Sequence, residues 1–226
     1  MNEALTPVAE VPVITVDGPG GSGKGTITTR LAGYLGWHFL DSGALYRLTA
    51  LAVTKKQVPL SDVDALGELA ANLDIRFETR NGDVVSWLDG EDVSDRLRHE
   101  DTGVMASRVA AIPEVRAALT QRQRRFRQAP GLVADGRDMG TVIFPDARLK
   151  IFLTASAEIR AERRYKQLKE KGESVNLTRL FKEIKARDLR DQSRSVAPLR
   201  PAEDAVIIDS TDLSIDEVFN RIVSLI

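Results

Sequence analysis

The sequence has 226 residues, 42% hydrophobic and 29% charged, with 32 Lys plus Arg against 33 Asp plus Glu, two histidines and no cysteine. That length suits one domain, or one core with inserted lobes, and the lack of cysteine excludes a disulfide framework, a thiolate metal site and a cysteine nucleophile. A formal net charge of -1 gives no global pull toward nucleic acid or an anionic membrane, so any phosphate must be gripped locally.

The opening stretch MNEALTPVAEVPVITV carries an acidic residue where a secretory signal has Lys or Arg. No apolar run approaches the roughly 18 residues that span a bilayer. A cytoplasmic protein with no membrane partner is expected. Val11 to Val16 is short, β-branched and stopped by Asp17-Gly18-Pro19-Gly20-Gly21, the pattern of a buried strand entering a glycine loop. Thr26 to Leu35 places Ile27, Leu31, Tyr34 and Leu35 at helical spacing, and Gly36 ends the helix. Trp37 to Leu40 reads as a second strand, closed by Asp41-Ser42-Gly43.

Between Asp74 and Val93 the pattern changes. Ile75-Arg76-Phe77-Glu78 alternates, Asn81-Gly82 signals a hairpin, and Val84 to Leu88 resumes strand character before Asp89-Gly90. This predicts a small antiparallel lobe inserted in the main fold. Val104 to Phe126 is helical but interrupted by Pro113. Further strands are expected at Leu132-Val133-Ala134, Leu149 to Leu153 and Ala205 to Ile208. Ser156 to Lys171 reads as a basic helix, Gly172 and Asn176 mark a loop, and Leu177 to Arg194 reads as another helix. Short apolar runs alternating with helices predict an α/β fold with a five-stranded parallel sheet covered on both faces.

Gly18-Pro19-Gly20-Gly21-Ser22-Gly23-Lys24 fits G-x-x-x-x-G-K and lies between a predicted strand and a predicted helix, as that phosphate loop requires. Glycines let the backbone cradle an anion, the helix adds its positive N-terminus, and Lys24 can reach the terminal phosphates. Gly25 stands where the generic motif has a magnesium-ligating Ser or Thr, and Thr26 follows one place later. The metal ligands therefore stay open.

Charged clusters mark other candidates. Asp135-Gly136-Arg137-Asp138 ends an apolar strand, where open α/β sheets place ligands; a solvated turn is the plainer alternative. Arg187, Asp191 and Arg194 fall on one predicted helix face, as do Arg160, Arg163 and Arg164. Salt-bridge lacing or a solvated basic face would explain either set. Arg122-Gln123-Arg124-Arg125-Phe126-Arg127 could suggest RNA, but a single aromatic favours a solvated helix. His38 and His99 read as structural or surface residues.

With Gly18 to Thr26, Asp41-Ser42-Gly43-Ala44-Leu45-Tyr46-Arg47, Asp135 to Thr141 and Arg187 to Arg194 together, the chain resembles bacterial cytidylate kinase from about Val13 to its end. The resemblance implies a P-loop nucleoside monophosphate kinase fold. A core would span about 11–41, 131–165 and 177–226, a monophosphate-binding region with the antiparallel insert about 42–130, and a helical lid about 160–180. It implies phosphoryl transfer from ATP, with Mg2+, to CMP or dCMP, by a monomer that binds no nucleic acid. Gly18 to Thr26 would bind ATP, and Ser42 and Arg47 the monophosphate. Arg137 would clamp the acceptor phosphate, and Asp138 with Ser107 and Arg116 would read cytosine. Arg187 and Arg194 would contact phosphate or sugar, Asp191 the ribose hydroxyl, and Arg163 and its neighbours the triphosphate from the lid. Lys24, Arg137, Arg163 and Arg194 are the expected catalytic set; Tyr46 is equally well a buried structural residue. Another small-molecule kinase, taking UMP, AMP or shikimate, is the nearest alternative, and a nucleotide-binding regulatory module a more distant one.

Overall fold

The computed structural model describes residues 11–80, 83–170 and 172–226. In chain order these form β1 (Val13–Asp17), α1 (Lys24–Leu35), β2 (His38–Asp41), α2 (Ser42–Lys55), α3 (Val63–Ala71), β3 (Ile75–Arg80), β4 (Asp83–Leu88) and β5 (Glu91–Asp92). There follow α4 (Ser94–Leu97), α5 (Glu100–Val109), α6 (Pro113–Arg124), β6 (Leu132–Gly136), a π-helical turn (Met139–Ile143), β7 (Leu149–Thr154), α7 (Ala157–Glu170), α8 (Leu177–Ser193), β8 (Val206–Asp209) and α9 (Ile215–Val223).

The main sheet has five strands in the order β2-β6-β1-β7-β8, every neighbouring pair parallel. β1 and β6 are buried at every position, which is why their sequences run apolar without alternation. Their register pairs Val16 with Asp135 and Asp17 with Gly136, and β2 pairs Asp41 with Asp135. The glycine loop, the Arg137-Asp138 segment and the start of α2 therefore share the C-terminal edge of the sheet, where such sheets carry their ligands.

One apolar core joins Ile14, Val16, Ile27, Leu31, Ile151, Leu153 and the α9 residues Val218, Phe219 and Ile222. A second lies under the region from α2 to α6, around Leu48, Leu51, Leu66, Val109, Val115 and Leu119. The insert β3-β4-β5 is antiparallel, with Ile75 opposite Leu88. The Asn81-Gly82 hairpin signal, Lys171 and the first ten residues, used above to judge targeting, lie outside the described residues.

The structure corrects the sequence-based expectations in four places. β1 begins at Val13 rather than Val11. The helical stretch expected from Val104 starts earlier, at Glu100, and is broken at Pro113 as expected: the proline occupies the first turn of α6, where its missing N–H costs nothing, so the stretch is two helices. α2, α3 and α9 were not expected. α2 buries Leu45, Tyr46, Leu48, Thr49, Ala50, Leu51, Ala52 and Val53 on nearly all sides, which erases the one-sided apolar stripe that marks a surface helix. Finally, α8 stops at Ser193, and Arg194 has left the helix in an extended conformation, so it does not share the helix face of Arg187 and Asp191.

Candidate functional site

β1 feeds the glycine loop through positions that admit no side chain. Gly18 has φ +147, and a Cβ there would lie 2.0 Å from the Leu153 carbonyl oxygen. Gly23, with φ +95, hands the chain to α1 in a left-handed turn, without a side-chain cap and with no acidic residue in the first turn. The first amides of α1 thus lack the partners a capping side chain would supply, and a helix N-terminus in that condition favours an anion.

Lys24 is 5% exposed and lies across this loop. Its Nζ donates to the Pro19 carbonyl at 2.8 Å and stands 4.0 Å from Asp135 Oδ1. Burial, then the like charge of Arg137, pulls its ammonium down to about 7, against the attraction of Asp135. Burial likewise pushes Asp135 up to about 6, with Lys24 opposing.

Facing the loop is a cluster of guanidinium groups. A Cβ built on Gly20 would sit 3.5 Å from Arg137 Nη2 and 3.6 Å from Arg187 Nη1. Arg137 Nε donates to Asp191 Oδ2 at 3.1 Å, Arg187 Nε stands 3.9 Å from the same oxygen, and Ser107 Oγ donates to Asp191 Oδ1 at 2.8 Å. Although burial pushes the Asp191 carboxyl upward, Arg137 and Arg187 hold it below its ordinary value. Burial and the repulsion of Arg137 and Arg47 lower Arg187 to about 10. The charges of Arg137 and Arg187 act against Lys24, and those of Arg137 and Arg47 against Arg187, a repulsion that an anion would relieve although Asp41, Glu100, Asp135, Glu183 and Asp188 line the same cavity. Lys24, Arg47, Arg137 and Arg187 line one cavity of about 250 Å³ beside Gly20 and Gly43.

Asp138 lies at the back of this edge, 2% exposed, hydrogen-bonded to Arg116, with Arg194 Nη2 3.9 Å from its other oxygen. Arg116 also donates to the Ala110 carbonyl at 3.2 Å. The structure divides the predicted Asp138, Ser107 and Arg116 trio: Arg116 meets Asp138, whereas the Ser107 hydroxyl is given to Asp191. Ser42, at the N-terminus of α2, is buried and donates to Gln123 Oε1 at 2.7 Å. Arg47 Nη1 donates to the Leu97 carbonyl at 2.7 Å.

The three α7 arginines do not act as one face. Arg160 binds Asp188 through both Nη atoms and donates to the Gly20 carbonyl at 3.1 Å, supporting the loop from beneath. Arg163 donates to the Ser210 carbonyl at 2.6 Å, and Arg164 to Glu100 Oε1 at 2.6 Å. The 122–127 run is likewise committed to structure: Arg122 donates to the Leu73 carbonyl, Arg124 to Val142 and Ile143, and Arg127 to Val11 and Asp146. His38 is exposed on β2 with its ring nitrogen 3.0 Å from the Ala129 carbonyl, and exposed His99 precedes α5.

No cluster of three His, Asp or Glu side chains among the described residues could hold a metal ion. A magnesium ion that keeps its water and phosphate ligands needs only one or two protein carboxylates. Asp135, against Gly25 and accepting no hydrogen bond from a described residue, fits that part.

Sequence reasoning missed Asp17. Buried at the end of β1, it accepts from the backbone N–H groups of Met139 and Gly140, both at 2.8 Å, and so ties the glycine loop to the turn that follows Asp138. An asparagine has one acceptor oxygen for these two donors. Asp17→Asn should therefore lower the unfolding free energy by about 1–3 kcal/mol, the cost of one unpaired buried N–H, measured by urea denaturation; an unchanged midpoint would show that the tie carries no stability.

Residues 14–226 match the family model described as cytidylate kinase. The cytidylate kinase of Stutzerimonas stutzeri is 62% identical over 219 residues, covering 96% of each chain. Those of Pseudomonas fluorescens and Aeromonas hydrophila are each 60% identical, the first over 95% of both chains, the second over 92% of this chain and 90% of its own.

Proposed function

Because the chain belongs to the cytidylate kinase family, we propose that it transfers the terminal phosphoryl group of ATP to CMP or dCMP, giving ADP and CDP or dCDP. The observation that carries this reading is the buried Arg116–Asp138 pair behind the cation cluster that faces the glycine loop. A second ligand must bring both an anion for the arginines and a polar edge for a buried carboxylate. A cytosine monophosphate has both.

The acceptor phosphate has a second pKa of about 6 by analogy with phosphorylated side chains, so near neutrality it is already a nucleophile and needs no strong base. Catalysis is then alignment and cancellation of charge. Gly18 to Thr26 hold the triphosphate, Lys24 meets its terminal oxygens, and Arg137, Arg187 and Arg47 hold the acceptor phosphate with Ser42 at the α2 N-terminus. Asp135 would hold the Mg2+ that arrives with ATP, and that ion supplies further neutralisation of phosphate charge. Asp191 orients Arg137 and takes the ribose hydroxyl; Arg194 approaches from beyond α8. Residues 160–180 form the lid over the triphosphate, with Arg163 exchanging its Ser210 contact for phosphate, and residues 42–130 carry the monophosphate. Closure excludes water, which would otherwise compete as acceptor. No described helix is long and apolar enough to cross a membrane, and this reading takes the protein as a cytoplasmic monomer.

Asp138 accepts from the cytosine amine, whereas uracil would present an oxygen to the carboxylate. A buried mismatch of this kind costs about 1–3 kcal/mol. Asp138→Ala should thus reduce the CMP over UMP ratio of kcat/KM by about ten- to a hundredfold. A ratio unchanged from wild type would remove Asp138 as the reader of the base.

A further inference from the structure

One polar group in the acceptor region is used by nothing above. Tyr46 lies on α2 one turn beyond Ser42 and is 7% exposed. The Arg116 guanidinium lies over its ring, 5.7 Å from the centroid. The charges of Arg116, Asp138 and Arg194 all act on its hydroxyl. Yet that hydroxyl is buried, and no described residue accepts its proton. Gln123, the neutral polar side chain beside it, faces it as a donor: Oε1 accepts from Ser42 at 2.7 Å, and Nε2, with one N–H on the Leu119 carbonyl at 3.3 Å, has a second that acts to lower the phenol.

An unpaired buried hydroxyl weakens a fold, and phenylalanine would fill the same space without that cost. Burial also pushes the phenol up to about 12, so it remains a proton donor at any working pH. The hydroxyl thus stands ready to donate beside the one carboxylate available for the cytosine amine. Arg194 Nη2, also buried without a hydrogen bond among the described residues, stands 3.9 Å from the same carboxylate.

Resting on the cytidylate kinase reading, we propose that Tyr46 is a further substrate-binding residue, donating its hydroxyl to an acceptor atom on the cytosine ring while its own ring backs the Arg116–Asp138 pair. The bond exists only in the complex. Tyr46 therefore carries its unpaired hydroxyl for recognition and not for folding.

The test is Tyr46→Phe, measured by steady-state kinetics with ATP and each of CMP and dCMP, with thermal denaturation of the ligand-free protein alongside. KM for CMP and for dCMP should rise equally, by about three- to tenfold, the value of one neutral hydrogen bond. KM for ATP should not move, and Tm should equal or exceed that of wild type. Unchanged acceptor KM values, a loss confined to CMP, or a lowered Tm with both substrates weakened together would each overturn the assignment. Wild-type protein is assayed first: if it phosphorylates neither CMP nor dCMP, the functional reading has failed, whereas an active wild type with an indistinguishable variant removes Tyr46 alone.

Discussion

Lys24→Met is expected to cut turnover by about a thousandfold, at the upper end for losing one charge-stabilising group at a reacting centre, while leaving the ligand-free protein at least as stable. The two halves of that expectation have one cause. Lys24 is buried among cations, and burial together with Arg137 lowers its ammonium from 10.5 to about 7. A lysine whose folded value lies below its unfolded one costs stability, and the cost grows as pH falls from 10.5 through about 7. Methionine keeps the length of the side chain without the charge. The Pro19 carbonyl that loses Nζ keeps the Ser22 hydroxyl at 3.1 Å. Turnover with saturating ATP and CMP, and Tm at pH 7, measure both halves. Near-normal turnover would remove the glycine loop from the reaction, and a lowered Tm would make Lys24 a structural residue.

Arg137→Gln should produce the second-largest loss, about a hundredfold in kcat/KM for CMP, as expected for one donor aimed at developing phosphate charge. Arg137 is linked to both sides of the cleft. Its Nε holds Asp191 at 3.1 Å, its Nη1 donates to the Gly136 carbonyl at 3.2 Å, and its Nη2 reaches the Gly20 loop. Glutamine can replace one of these contacts but neither the charge nor the fork. The loss should fall mainly on CMP, since Lys24 and the α1 N-terminus remain for ATP. If KM for ATP rose while that for CMP did not, Arg137 would belong to the donor subsite. Arg137→Lys should recover only part of the activity, because a point charge cannot hold Asp191 and phosphate together.

Local signals were the legible ones. The glycine loop could be read because its chemistry is contiguous, and β1 and β6 because strands buried on both faces run apolar. Asp135, Arg137 and Asp138 were found by their place at a strand end. What escaped the sequence was pairing over distance. Asp17 finds its donors 122 and 123 residues away, Ser42 its acceptor 81 residues away, and Ser107 is taken by Asp191 across 84. The spacing of Arg160, Arg163 and Arg164 is right for one helix face, but spacing cannot tell that Asp188, Ser210 and Glu100 lie in three different directions. Arg194 followed the same periodicity into error because nothing within Arg187 to Arg194 marks the helix end at Ser193; its carbonyl partner, Ala197, lies beyond.

Overall electroneutrality was also uninformative about ligands. The charge of -1 is a sum over the whole chain, whereas Lys24, Arg47, Arg137 and Arg187 meet in one cavity and repel one another there. Asp41, Glu100, Asp135, Glu183 and Asp188 line the same cavity, so part of that balance is local. The four cations meet because the fold gathers them from α1, α2, the segment after β6, and α8.

The most direct measurement supplies ATP labelled in its terminal phosphate with CMP, dCMP, UMP, AMP and shikimate in equal amounts and follows the label to the products. Label should appear in CDP and dCDP first, far ahead of UDP, with none in ADP or a shikimate phosphate. Label passing to shikimate or AMP instead, or released only as inorganic phosphate, would contradict a cytosine-reading kinase.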